Sequence, residues 1–72
     1  MLDLRKIANV TDTIKLLEDD MQGEQGAIEM YNRHIQQIDD KDIKDLLAHI
    51  VNEEKEHLKE LKELIEKKKG GN

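Results

Sequence analysis

The sequence contains no cysteine, proline, phenylalanine or tryptophan, and only one tyrosine. Without cysteine, disulfide staples and thiolate metal sites are excluded, and the redox compartment leaves no mark. Without proline, no segment is forced out of helix. One aromatic ring cannot form a stacking platform for bases or sugars. Positive charge is also short: 12 Lys and Arg stand against 17 Asp and Glu, a net charge of −5. That balance argues against a nucleic-acid or anionic-membrane surface, and the one basic run, Lys67 to Lys69, is brief. No apolar run approaches the roughly 20 residues that span a bilayer. The opening MLDLRKIANV lacks the apolar stretch of a secretory leader. The chain reads as a soluble, cytoplasmic protein with no nucleic-acid and no membrane partner.

What remains is 72 residues, 36% apolar and 40% charged. Ordering such a chain costs roughly 1.5 kcal/mol per residue, on the order of 100 kcal/mol in total, and so few apolar side chains barely offset it. Small domains answer with disulfides, a metal or oligomerisation. Metal and oligomer are left, and the chain is expected to borrow part of its core.

From Thr11 a helix is expected, with Thr11 or Asp12 as cap and an apolar stripe at Ile14, Leu17, Met21, Ile28, Tyr31, Ile35 and Ile38. The stripe misses one beat, and Glu24 stands on it. After Asp39-Asp40-Lys41-Asp42, where Asp40 can cap, a second stripe runs through Ile43, Leu47, Ile50, Leu61 and Leu64. Its vacant beats fall at Glu54 and His57. The helix is expected to end in the lysines and stop at Gly70-Gly71.

Two long helices on a short connection form an antiparallel hairpin, in which residues equidistant from the turn are level. The midpoint of 24 and 54 is 39, within the connection. Glu24 and Glu54 therefore share a layer about 22 Å from the turn, with His57 one helical turn beyond. Leu16, Met30, Leu46, Val51, Leu58 and Ile65 fall off the main stripes and widen the apolar faces beyond what one hairpin covers. A second hairpin is the economical cover. The expected fold is thus all-α: a two-helix hairpin over residues 11–69 that completes a four-helix bundle by dimerisation. Residues 1–10, with Leu2, Leu4, Ile7 and Val10, form a short helix or an arm, and residues 70–72 a flexible tail or linker.

Two carboxylates and an imidazole on an apolar seam need a compensating partner, and a divalent metal supplies one. Glu54-Lys55-Glu56-His57 sets two donors on one helical face, and Glu24 opposite makes half of a carboxylate-bridged dinuclear site. Doubling it across a two-fold axis gives four carboxylates and two imidazoles, suited to iron and also accommodating manganese or zinc. The plainer alternatives are a metal-free polar layer that fixes helix register, and a non-catalytic hairpin that binds metal or a partner protein. His34 and His49 are expected to face solvent or a subunit boundary, not the metal. Gly23 and Gly26 bracket Glu24 and would allow close approach of a neighbouring helix or an ion.

The sequence resembles the ferritin-like superfamily, and most closely the encapsulated ferritins. Gly23-Glu24 through Tyr31 is similar to their first-helix motif, and Leu47-Ala48-His49-Ile50-Val51-Asn52-Glu53-Glu54-Lys55-Glu56-His57 to their second. The resemblance implies ferroxidase ligands at Glu24, Glu54 and His57, with Tyr31 near the site. It further implies a diiron site shared by a homodimer, a higher ring-like homo-oligomer, and an encapsulin shell protein as partner. The implied activity is oxidation of Fe(II) to Fe(III) for iron storage in an encapsulin nanocompartment.

Overall fold

A computed structural model describes residues 10–70, which form two helices, α1 (Val10–Gln37) and α2 (Lys41–Gly70), in an antiparallel hairpin. No strand occurs among the described residues. Residues 1–9 and 71–72, with most of the expected arm and tail, lie outside them. Helix α1 already includes Val10, ahead of the expected cap at Thr11 or Asp12, and α2 runs through Gly70 instead of stopping there. The difference at each end is one residue, within the play of a helix terminus, and the three preceding lysines favour the helical C-terminus.

The connection is Ile38-Asp39-Asp40. Asp40 caps α2 as expected: its Oδ1 accepts from the backbone N–H of Ile43 at 3.1 Å, and its carbonyl from the N–H of Lys44 at 3.0 Å. Lys41 pairs with Asp45 one turn on, at 2.6 Å. At the far end Lys69 reaches across to Glu18 at 3.1 Å, tying the open ends of the helices together.

The expected seam of α1 faces α2: Ile14, Leu17, Met21, Glu24, Ile28, Tyr31, Ile35 and Ile38 are all half-buried. In α2 the expected assignment holds in part: Leu47, Ile50 and Leu61 are half-buried, but the deepest burial falls on residues outside the expected stripe. The residues packed on α1 are Leu47, Val51, Glu54, Leu58, Leu61 and Ile65, with Val51 and Ile65 only 4% exposed. Ile43 and Leu64, expected on the main seam, are 47% and 43% exposed. Two apolar series with alternating steps of three and four interleave in α2 and share positions 47, 54 and 61. Packing against α1 selects the one interrupted once, at Glu54, over the one interrupted at both Glu54 and His57. The rejected series becomes a second face, where Ile43, Leu46 and Leu64 line up with Leu16 and Met30 of α1, all exposed.

Candidate metal centre

Glu24 and Glu54 occupy matching beats of the two seams, midway along the hairpin, because each replaces a hydrophobe in a stripe that packing holds inward. His57 lies three residues beyond Glu54 on the rim of the open face and is exposed, not on the inter-helix seam where it was expected. The three side chains nonetheless converge: one donor atom from each lies within 4.8 Å of the others. They are the only such group of His, Asp and Glu found among the described residues.

The layer is short of positive charge. His57 Nδ1 stands 3.6 Å from Glu24 Oε2, outside hydrogen-bonding distance. That oxygen is shielded from solvent and has no hydrogen-bond partner, a costly state for a carboxylate oxygen. The Glu54 carboxyl is pushed above its ordinary range, first by a hydrogen bond with Glu24, which requires a proton between them, then by desolvation and by the Glu24 charge, with His57 opposing. Two acids share what one proton can satisfy, and a hard or borderline cation with room for imidazole fits the remaining donors. The residues present fit iron.

Beside this layer, on the side away from the turn, opens a groove of about 620 Å³. Asp20, Gly23, Glu24, His57, Glu60, Leu61 and Leu64 line it. Sequence reasoning did not place Asp20 or Glu60 at the site, although their spacing was visible: Asp20 is one turn before Glu24, and Glu60 one turn after His57. Tyr31 sits half-buried on the α1 seam, about 10 Å along the axis from Glu24 toward the turn, and is not part of the three-residue group. His34 is exposed, and exposed His49 pairs with Glu53 at 3.3 Å. Gly23 and Gly26 lie mid-helix, where a Cβ at either position would meet nothing within 4 Å, so no contact within the described hairpin requires glycine there.

No helix among the described residues is long and apolar enough to cross a membrane. No curated protein and no solved structure matches the chain significantly. The model of the family described as ubiquinone biosynthesis protein COQ7 matches residues 12–70, nearly all of both helices. That family is ferritin-like and holds a diiron centre, which agrees with the superfamily read from the helical motifs and with the Glu24, Glu54 and His57 cluster. The chain belongs to the COQ7 family of ferritin-like diiron-carboxylate proteins.

Proposed function

We propose that the chain is a ferroxidase of the encapsulated-ferritin type, active as a homodimer in which two Glu24, Glu54 and His57 sets face each other. The observation that carries this reading is the convergence of those three donors within 4.8 Å, with one carboxylate oxygen shielded and unpartnered, beside a face lined with exposed hydrophobes. One set offers few donors to a metal pair. A second copy doubles it to four carboxylates and two imidazoles and covers the apolar face in the same step.

Fe(II) is the substrate here. Two Fe(II) ions held close together lose one electron each, and dioxygen takes up the pair. The carboxylates lower the free energy of the more highly charged Fe(III) product. Glu54 releases its shared proton as the cation arrives, and His57, on the exposed rim, is the donor an incoming ion meets first. Tyr31 is assigned a supporting place near the centre, by resemblance. The resemblance of Leu47 through His57 to the encapsulated ferritins also supports assembly into a ring-like homo-oligomer and work within a cytoplasmic encapsulin shell.

A second reading is favoured by the family match, whose name places its members in ubiquinone biosynthesis. On it, the same centre would hydroxylate an organic substrate seated in the groove. An aerobic Fe(II) titration separates the two. Ferroxidase activity predicts ferric absorbance from Fe(II) and dioxygen alone, with a break near one iron per chain and loss of the signal in Glu54→Ala and His57→Ala. Wild-type and variant traces that coincide would refute the proposal, and iron that binds without being oxidised would leave only a metal-binding hairpin.

A further inference from the structure

We infer that Met30 is a site of oxidation by hydrogen peroxide, and that its sulfoxide keeps a second copy off the open face. The effect on pairing rests on the homodimer proposed above; the modification itself does not. The large hydrophobes exposed among the described residues are Leu16, Met30, Ile43, Leu46 and Leu64. All but Met30 are aliphatic and inert to mild oxidants, and the sequence has no cysteine to react in its place. Among the described residues, Met30 is therefore the point at which a mild oxidant can change the polarity of that face.

Met30 stands in the middle of the turn-side half of the face. Residues equidistant from Asp39 are level, so it falls between exposed Leu46 and half-buried Ile50 of α2, about 3 Å from the level of each. Met21 is closer to the ligand layer along the helix, three residues from Glu24 against six for Met30, yet it is half-buried on the seam against α2. Access to the sulfur decides between them, because hydrogen peroxide diffuses through water and a seam residue is screened by its neighbours.

The oxidation is a two-electron oxygen transfer. A lone pair on Sδ attacks one peroxide oxygen, an S–O bond forms as the O–O bond breaks, and the other oxygen leaves as water after proton transfer. The thioether is oxidised and the peroxide reduced. The proposed ferroxidase reaction supplies this oxidant, since one electron from each of two Fe(II) and two protons turn dioxygen into hydrogen peroxide. The sulfoxide is polar and chiral where the face was apolar. A second copy covering it would strip water from the S–O oxygen against Leu and Ile side chains, which offer no hydrogen-bond donor. Pairing and oxidation thus compete for one surface: a covered Met30 is shielded, and an oxidised Met30 resists being covered.

The test starts with the metal-free chain in dilute hydrogen peroxide, quenched with catalase, and tandem mass spectrometry to locate the added oxygen. Met30 should gain it before Met21; Met21 reacting first or in step overturns the site. The oxidised chain is then loaded with Zn(II), which takes no part in redox chemistry, and its pairing is read by sedimentation. Oxidised wild type should dimerise at least about tenfold more weakly than untreated protein, the scale of burying an unpartnered polar group. Met30→Leu given the same peroxide should pair like untreated Met30→Leu, which excludes effects of oxidation elsewhere in the chain. Equal pairing of oxidised and untreated wild type, or an equal loss in wild type and Met30→Leu, overturns the effect on association and leaves the homodimer standing. Untreated protein that stays monomeric with Zn(II) removes the homodimer and this effect with it, while the order of oxidation still decides the site.

Discussion

The two faces of α2 carry the same kinds of residue and meet opposite fates. On the inner seam Val51 and Ile65 are 4% exposed; on the open face Leu46 and Ile43 are 57% and 47% exposed. The first face is filled by α1, and the second has no counterpart in the described chain. The contrast teaches that the apolar pattern encodes more burial than one hairpin uses. The candidate metal centre lies where the two faces meet. Glu24 and Glu54 belong to the seam and His57 to the rim of the open face, so the hairpin holds two donors in place and exposes the third.

The sharpest way to break this comparison is to place one charge on each face. Val51→Asp buries an unpaired carboxylate, a penalty of roughly several kcal/mol that so small a core cannot offset. Helical circular dichroism should collapse. Leu46→Asp, the same chemistry on the open face, should leave the hairpin helical while weakening Zn(II)-dependent dimerisation at least about tenfold by sedimentation, the equivalent of about 1.4 kcal/mol. If both variants unfold, or neither affects association, the two faces are not distinct in the way described.

A smaller effect comes from Glu54. Its carboxyl holds a proton more tightly when folded than when unfolded, so its contribution to the metal-free hairpin is present at acid pH and is lost as pH rises through the raised value. The thermal midpoint of wild type relative to Glu54→Gln should therefore fall as pH climbs past the ordinary carboxylate range. Bound Zn(II) should reverse the trend, because the cation displaces the proton. Equal pH profiles for the two proteins would remove the shared proton from the account.

The smallest expected change is at Gly23, where an added Cβ meets open space. Gly23→Ala should stabilise the metal-free chain by about 0.8 kcal/mol through helix propensity alone. The same change should weaken the Zn(II)-dependent dimer if a second copy packs against that position. Stabilisation of both states would show that the glycine serves no contact.

Much of this was legible in the sequence. The two helices, the turn at Asp39, the Asp40 cap and the level of Glu24 with Glu54 follow from spacing and symmetry about a short connection. The choice between the two stripes of α2 did not, because they share Leu47, Glu54 and Leu61 and both are rich in Leu and Ile. Only the count of polar interruptions separates them, one for the series through Val51, Leu58 and Ile65 and two for the series through Ile43, Ile50 and Leu64. That choice placed His57 on the rim. The groove was hidden for a related reason: Asp20 and Glu60 stand off the expected stripes, and only the open face brings them beside Glu24 and His57.

The central claim is that one chain holds half a metal centre and a second copy completes it. Native mass spectrometry of the Zn(II)-loaded protein tests it directly. The account predicts a dimer carrying two ions that dissociates on chelation, and no loaded dimer for His57→Ala. A monomer that binds its own ion, or a dimer indifferent to both metal and the His57 substitution, would contradict it.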